Sequence, residues 1–291
     1  MLLGAIEGGG TKFVCGIGTP EGEIVERISI PTTTPEETLD RAIIFFEKQS
    51  IEAIGIGTFG PIDLNAQSAN YGSVTSTPKP NWSGYRIVEH LKRRFNGPIG
   101  FDTDVNAAAL GELTWGAAKG LNSCLYMTIG TGIGAGAIVE GKLLHGLTHP
   151  EMGHIVVRRH LNDSYDGHCP FHRDCLEGLA AGPAIEARWD RKAEQLESTH
   201  LAWEIESYYI AQALVNYTLI LSPEKIILGG GVMKQSQLFP LIREQFLNIM
   251  NGYVNNNVIS KDINDYIVQP GLGSNAGLCG ALALAKQILA S

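Results

Sequence analysis

One short loop of the sequence has the residue types and the spacing of a metal site. Cys169, His172 and Cys175 follow one another with two residues in each gap. Two thiolates and an imidazole in so tight a loop favour tetrahedral zinc, which takes sulfur and nitrogen ligands. A fourth ligand is required, for which spacing alone leaves three histidines open: His154, His160 and His168. Four protein ligands would close the coordination shell, so the predicted ion is structural and does not activate water.

A carboxylate at the start of a predicted helix is the second candidate for chemistry. Asp104 lies immediately before residues 106–118, whose small and apolar residues indicate a helix. Phosphoryl transfer to an alcohol needs a carboxylate that accepts the hydroxyl proton and directs the oxygen at the phosphate. The alternative is that Asp104 only caps the helix, as acids often do. The two roles are compatible, so the residues alone leave both open.

Three glycine-rich stretches follow predicted strands and have the composition of phosphate-binding loops: residues 7–12, 128–136 and 229–233. Glycine tolerates positive φ and lets backbone N–H groups approach a phosphate closely. The first stretch lacks the Gly-Lys-Ser/Thr string of a P-loop, and the second precedes a predicted strand where a dinucleotide fingerprint requires a helix. The third is predicted to open a helix whose N-terminus faces a nucleotide. A tight turn explains any one stretch, but three together favour phosphate binding.

The elements that must position these residues alternate between strands and helices in both halves of the chain. The first half has predicted strands at 2–6, 12–17, 23–30, 51–57 and 98–102 and predicted helices after Thr34-Pro35, at 83–95 and at 106–118. The pattern restarts with strands at 123–129, 134–140, 142–144 and 225–228 and helices at 184–196, 201–221, 235–251 and 275–289. Such alternation argues for an α/β fold. We expect two domains, 1–115 and 116–274, with the C-terminal helix in 275–291 packing on the first.

Composition narrows the classes of partner and of compartment. The 291 residues include 22 Lys and Arg against 30 Asp and Glu, which gives a net charge of −8. A surface of this sign repels nucleic acid, which is therefore not expected as a partner. The five cysteines are odd in number, the N-terminus has no basic leader, and no run of about 18 apolar residues occurs. We therefore expect a cytoplasmic protein without a membrane partner.

Five motifs in this order resemble the ROK family of sugar kinases and repressors, and within it the bacterial fructokinases: residues 7–12, 104–112, 130–134, 151–154 and 169–177. The resemblance spans nearly the whole chain. It implies an actin/hexokinase-like fold, in which two ribonuclease H-like α/β domains surround a cleft that binds ATP, Mg²⁺ and a sugar. It also implies a homodimer.

The resemblance further implies the following roles for individual residues. Asp104 matches the catalytic base, and Glu7 stands where many members have an Asp that helps to hold Mg²⁺ through water. The implied contacts to ATP and its phosphates are Gly9, Gly10, Thr11, Lys12, Gly130, Thr131, Gly132, Pro183, Gly230, Gly231, Val232 and Met233. The implied zinc ligands are Cys169, His172 and Cys175, with His154 as the match to the fourth. The family commonly has a third Cys where this chain has His172.

The sugar-binding residues that the resemblance implies are Gly60, Pro61, Asn81, Thr103, Asn106, Glu151, His154 and Glu177. Thr103 stands where glucose-specific relatives usually have Asn, which favours fructose over glucose. The zinc ion would fix Glu151 and Glu177, because both lie within three residues of a predicted zinc ligand.

The resulting hypothesis is an ATP-dependent hexose kinase that converts D-fructose to D-fructose 6-phosphate, with Asp104 and the glycine bends facing one cleft. Glucose, mannose and N-acetyl-hexosamines stay open as substrates, because one hydroxyl contact decides between them. A repressor of the same family is disfavoured, since it would carry a helix-turn-helix before the glycine hairpin, which here begins within the first ten residues. A non-catalytic sugar sensor is disfavoured by the presence of Asp104.

Overall fold

The computed structural model describes residues 1–290, which divide into two compact units. Unit 1 comprises residues 1–120, Leu143–Pro150 and the chain from Gly271 onward, and unit 2 comprises Leu121–Lys142 and Glu151–Pro270. The sequence-based division places residues 143–150 in the second domain, whereas the structure groups them with unit 1. Ser291, the last residue of the predicted 275–291 helix, lies outside the described residues.

Strands and helices alternate along the chain, as the sequence predicts. The strands in residues 1–290 are β1 Leu3–Gly8, β2 Lys12–Gly18, β3 Ile24–Pro31, β4 Ala53–Thr58, β5 Ile99–Thr103, β6 Cys124–Ile129, β7 Ile133–Val139, β8 Lys142–Leu143, β9 Lys225–Gly229 and β10 Ile267–Val268. The α-helices in the same residues are α1 Pro35–Phe46, α2 Ile87–Lys92, α3 Asp104–Trp115, α4 Leu176–Ala180, α5 Gly182–Trp189, α6 Ala202–Leu221, α7 Leu238–Met250, α8 Asn257–Ser260, α9 Ile263–Tyr266 and α10 Ala276–Ala290. None of these helices has the length and apolarity needed to cross a membrane.

Each unit is built on a mixed sheet. Within residues 1–290, the sheet of unit 1 has the order β3-β2-β1-β4-β5 and that of unit 2 the order β10-β9-β6-β7-β8. In both sheets a central strand pairs antiparallel with its hairpin partner and parallel with a later strand: β1 with β2 and β4, and β6 with β7 and β9. The α/β prediction is therefore confirmed.

Small residues let α10 lie very close to the sheet of unit 1. A Cβ added to Gly55 in β4 would stand 1.8 Å from the carbonyl oxygen of Ala281 in α10. A Cβ added to Gly280 would stand 1.9 Å from the carbonyl oxygen of Ala107 in α3. Both glycines therefore occupy positions where only the absence of a side chain permits the packing. The close approach holds α3, and with it Asp104, against the sheet.

Three predicted helices differ from the observed ones. The predicted 83–95 helix is reduced to α2, because the backbone before it pairs with an earlier loop: Val74 N–H donates to Tyr85 C=O at 3.0 Å. The predicted 184–196 helix ends at Trp189, where Asp190 takes a left-handed conformation with φ of 53°. The third glycine stretch is followed only by the 3₁₀ turn Val232–Lys234, and the helix begins later, at Leu238. The prediction of a helix N-terminus at that stretch is therefore wrong.

A buried carboxylate ties the end of α3 to the segment that leads into α10. Glu112 is fully buried, and its Oε2 accepts hydrogen bonds from the N–H groups of Ala117 at 2.6 Å and Gly271 at 2.9 Å. Its Oε1 accepts a hydrogen bond from the N–H of Leu272 at 2.9 Å. Three backbone donors thus depend on one side chain that can only accept.

Replacing Glu112 with Gln should lower the free energy of unfolding by about 2–4 kcal/mol, because the amide nitrogen would face a buried N–H donor. Urea unfolding followed by circular dichroism measures the change. The matched control is Glu26→Gln on the exposed part of β3, for which we expect a change below about 0.5 kcal/mol. Equal effects of the two substitutions would contradict this role of Glu112.

Candidate active site

The parallel strands of unit 1 bring the residues predicted to bind substrate to one edge of the sheet. Gly8 at the end of β1 is in register with Thr58 at the end of β4, and Thr58 is in register with Thr103 at the end of β5. The glycine hairpin, the Gly60-Pro61 turn and Asp104 directly follow these three strand ends. Ligands of open α/β sheets bind at the carboxyl ends of the strands. This edge is therefore the candidate site of unit 1.

Asp104 is the first residue of α3, and the capping of this helix falls to its neighbour. The Thr103 hydroxyl accepts the N–H of Asn106 at 3.1 Å, which makes Thr103 the N-cap. Asp104 Oδ1 accepts the N–H of its neighbour Val105 at 2.9 Å. The side-chain cap of α3 is therefore Thr103 and not Asp104. Thr103 is 5% exposed, so its hydroxyl is directed into the helix start.

A buried acid that sequence reasoning missed lies two residues before Asp104. Asp102 is 3% exposed, and its Oδ1 accepts the N–H of Thr103 and the Nδ2 of Asn106, both at 2.8 Å. Its Oδ2 lies 2.8 Å from Nε2 of His145, which belongs to the Leu143–Pro150 segment. That hydrogen bond raises the pKa of His145 above its ordinary value, although burial of the ring acts in the opposite direction. An acid inside the apolar β5 is a signal that could have identified Asp102, whereas nothing in the sequence pairs it with His145.

The β1–β2 hairpin presents its bend to solvent at the same edge. The Gly9 N–H donates to Lys12 C=O at 3.0 Å, while Gly10, Thr11 and Lys12 are exposed. Glu7, at the base of the hairpin, packs against Gly277, where an added Cβ would lie 2.5 Å from its Cδ. Burial raises the pKa of the Glu7 carboxyl, and the charge of Lys12 partly offsets that rise.

Two further residue sets predicted to contact the sugar lie in loops of unit 1. The Gly60-Pro61 bond is cis, and the next N–H, that of Ile62, donates to Nε2 of His149 at 3.0 Å. Asn81 is exposed and takes a left-handed conformation with φ of 69°. Its neighbour Trp82 is fully buried and anchors this loop by packing on Phe13 and Phe59.

In unit 2, most of the residues predicted to contact nucleotide come together at the ends of β6 and β9. The Gly130 N–H closes a turn with Gly132 C=O at 2.9 Å, and the Gly130 C=O accepts the N–H of Gly182 at 2.7 Å, next to Pro183. Gly230 has φ of 94° and packs against the Ile129 backbone, within 2.3 Å of an added Cβ. The remaining predicted contacts are the exposed Thr131, Gly231 beside Gly130, and Val232 and Met233, whose side chains are buried.

The predicted zinc ligands form one compact cluster in unit 2. One ligand atom from each of four residues lies within 4.8 Å of the others: His154, Cys169, His172 and Cys175. The Nδ1 of His154 lies 3.7 Å from Cys169 Sγ and 3.5 Å from Cys175 Sγ, and the Nδ1 of His172 lies 3.8 Å from Cys169 Sγ. Ligands of a tetrahedral zinc ion are separated by roughly 3.5–3.8 Å at the usual bond lengths. The donor set and its spacing therefore fit zinc.

The geometry also distinguishes among the three histidines that spacing left open. His154 lies in the cluster, whereas the ring of His160 packs on Tyr208 at 4.9 Å between centroids and His168 is exposed. The second nitrogen of His154, Nε2, lies 3.9 Å from Oε1 of Glu177. Glu177 in turn accepts the N–H of Ile133 through Oε2 at 2.9 Å, and the C=O of Glu151 accepts the N–H of His154 at 3.0 Å. The acids predicted to contact sugar in unit 2 are thus attached to the cluster.

The chain is similar to known proteins over almost its whole length. The model of the ROK family matches residues 3–288. A relative from Bacillus subtilis (strain 168), provisionally named as a fructokinase, is 58% identical over 99% of this chain and 96% of its own length. The fructokinase of Pediococcus pentosaceus is 49% identical over 99% of both chains. The crystal structure of a ROK family glucokinase from Streptomyces griseus in complex with glucose and AMPPNP is 26% identical, with a TM-score of 0.76 over 99% of this chain and 100% of that chain.

The family model covers almost the full chain, and these relatives align with it from end to end. The chain belongs to the ROK family.

Proposed function

We propose that this protein is an ATP-dependent fructose kinase that transfers the γ-phosphoryl group of ATP to the 6-hydroxyl of D-fructose. The observation that carries the proposal is the position of Asp104 at the start of α3, on the sheet edge that also carries the glycine hairpin. The fructokinase from Pediococcus pentosaceus, at 49% identity, supports the choice of sugar. The glucokinase complex with AMPPNP supports ATP as the phosphoryl donor.

In the proposed reaction, Asp104 accepts the proton of the sugar hydroxyl as its oxygen attacks the γ-phosphorus. A bond forms between that oxygen and phosphorus, the bond from the γ-phosphorus to the bridging oxygen breaks, and ADP leaves with the electron pair. The carboxylate also orients the hydroxyl toward the γ-phosphorus. Part of the entropic cost of reaching the transition state is therefore met when the sugar binds. Because Thr103 supplies the cap of α3, the carboxylate of Asp104 is not needed for that structural role.

The hairpin bend supplies donors for the transferring phosphates. We assign this role to the backbone N–H of Gly10, the Thr11 hydroxyl and the Lys12 ammonium, which together offer positive charge at an exposed turn, while the Gly9 N–H closes the hairpin on Lys12 C=O. Mg²⁺, when bound with ATP, neutralises phosphate charge. Glu7 is the group of this hairpin that would hold it through water, and its half-buried carboxyl beside Lys12 fits an outer-sphere role. The glycine turns of unit 2 are assigned to the nucleotide.

Zinc has a structural role in this proposal. His154, Cys169, His172 and Cys175 would complete a four-ligand shell, which leaves no open position for water. The ion would fix the Met152–His154 turn, and through it Glu151 and Glu177 in a sugar-binding orientation. No step of the phosphoryl transfer passes through it.

Two finer expectations, a homodimer and a cytoplasmic location, belong to the same proposal. Unit 2 exposes large apolar side chains that a partner subunit could cover, among them Val156, Leu161 and Phe171. None of the five cysteines, all of which lie within residues 1–290, forms a disulfide bond, in keeping with a reducing compartment, where ATP is also available. Analytical ultracentrifugation and cell fractionation test the two expectations separately.

Substitution Asp104→Asn should lower kcat for fructose by about 10³-fold or more, since the amide cannot accept the proton. Nucleotide binding should persist, with a dissociation constant for ATP within about threefold of the parent. Coupled ADP release across a panel of fructose, glucose, mannose and N-acetyl-hexosamines measures the first, and calorimetry the second. The control is Asp190→Asn, at an exposed left-handed position that Asn tolerates. Near-normal turnover of Asp104→Asn would remove this residue from the mechanism.

Purified protein should contain about one zinc ion per chain, measured by atomic emission. Cys175→Ser should abolish that content and lower the melting temperature, because a ligand of a structural ion is lost. His168→Gln is the control, since His168 lies in the same loop but outside the cluster. Unchanged zinc content in Cys175→Ser, or an equal loss in His168→Gln, would be incompatible with the assigned ligands.

A further inference from the structure

The Leu143–Pro150 segment places two histidines against two different loops of the candidate site in unit 1. His149 Nε2 accepts the N–H of Ile62, directly after the Gly60-Pro61 turn, at 3.0 Å. His145 Nε2 lies 2.8 Å from Asp102 Oδ2 and 3.3 Å from the amide nitrogen of Asn106. None of the motifs that point to a kinase includes Asp102 or His145. Both lie in direct contact with residues that do.

The hydrogen-bond chemistry of Asp102 fixes the proton positions around it. An ionised carboxylate only accepts, so each group that faces it must donate. His145 therefore carries a hydrogen on Nε2, and Asn106 turns its amide nitrogen toward Asp102 Oδ1. The 3.3 Å approach of His145 Nε2 to Asn106 Nδ2 then joins two donors, so it is a contact without a hydrogen bond. Three donors thus converge on the two oxygens of Asp102.

Because the Asn106 amide nitrogen faces Asp102, the amide oxygen of Asn106 faces away from Asp102. Asn106 is only 2% exposed, yet its Oδ1 accepts no hydrogen bond from residues 1–290 and is not among the fully buried polar atoms that lack a partner. A nearly buried acceptor that keeps a small opening to solvent indicates a ligand donor on its outer side. A sugar hydroxyl next to Asp104 has that chemistry. If the amide were turned by 180°, the nitrogen would face outward and Asp102 would meet an oxygen.

We propose that Asp102 and His145 are positioning residues for fructose binding, which lock the Asn106 amide with its oxygen toward a sugar hydroxyl. This inference rests on the proposed fructose kinase function. Asp102 sets the amide orientation directly. His145 occupies the second carboxylate oxygen and so holds the Asp102 side chain in place. The raised pKa of His145 agrees with a tight contact to that carboxylate.

Steady-state kinetics on the full-length enzyme with fructose and ATP as the varied substrates tests the proposal. Asp102→Asn should raise the KM for fructose about tenfold or more, because its amide group repels one of the three donors and lets Asn106 turn. The KM for ATP should change less than about twofold, because the interaction concerns the sugar alone. The melting temperature, measured alongside, reports any general loss of structure.

Variants at His145 keep the test decisive if Asp102→Asn folds poorly, because the His145 side chain is 40% exposed. His145→Leu removes the donor and should raise the KM for fructose at least about fivefold. His145→Gln keeps an N–H donor and should recover most of that loss. The matched control is Asp40→Asn, which makes the same change in another histidine–aspartate contact of unit 1, that of His90 Nε2 with Asp40 Oδ1 at 3.0 Å. It should leave both KM values unchanged.

The outcomes separate this inference from the proposed function. An active parent enzyme whose fructose KM is unaffected by Asp102→Asn and His145→Leu would overturn the positioning role and leave the kinase intact. If kcat and the melting temperature fell and both KM values rose together in these variants, the role of the two residues would be purely structural. That result would also overturn the positioning role. A parent enzyme that releases no ADP with fructose would remove the proposed function and this inference together.

Discussion

Parallel pairing of β1, β4 and β5 is the constraint on which the candidate site of unit 1 depends. The register aligns Gly8, Thr58 and Thr103, so the three following loops start from one line at the carboxyl edge of the sheet. Each loop then needs only a few residues to reach that edge, and its conformation follows local rules. The hairpin uses glycines, the next loop a cis Gly60-Pro61 bond, and the last a helix start with Thr103 as its cap. The packing of α10, which tolerates no side chain at Gly55, keeps this alignment from shifting.

In the same site, buried carboxylates hold neighbouring groups in a fixed orientation. Three donors surround the Asp102 carboxylate, which compensates the cost of burying a polar group inside β5. Glu112 repeats the device at the far end of α3, where three backbone N–H groups converge on one carboxylate. The helix that begins with Asp104 is thus held by an acceptor at both ends. In unit 2, Glu177 lies next to the Cys/His cluster, with its Oε1 3.9 Å from the second nitrogen of His154.

Sequence reasoning predicted the α/β class, most strand positions and the Cys/His spacing of the cluster, because each is encoded locally. Strand ends were missed by only one or two residues, since apolar runs and glycines mark them directly. The histidine that completes the Cys/His cluster could not be chosen from spacing, because His154 reaches the cluster only after the chain between it and Cys169 has folded back. The contact of His145 with Asp102 joins positions 43 residues apart, and no sequence pattern in either segment predicts that the two segments meet. The end of α5 before Asp190 depends on a left-handed residue, and the start of α7 at Leu238 depends on a preceding 3₁₀ turn. Helix propensity reveals neither feature.

The Leu143–Pro150 segment has a consequence for how the protein can be taken apart. The chain passes from one unit to the other after residues 120, 142, 150 and 270, so neither unit is a single stretch of polypeptide. No truncation at one point can yield an intact half, and a chimera that exchanges one unit with that of a relative requires four splice junctions. A deletion that shortened the excursion at 143–150 would remove both histidine anchors from unit 1 while leaving every strand of its sheet in the gene.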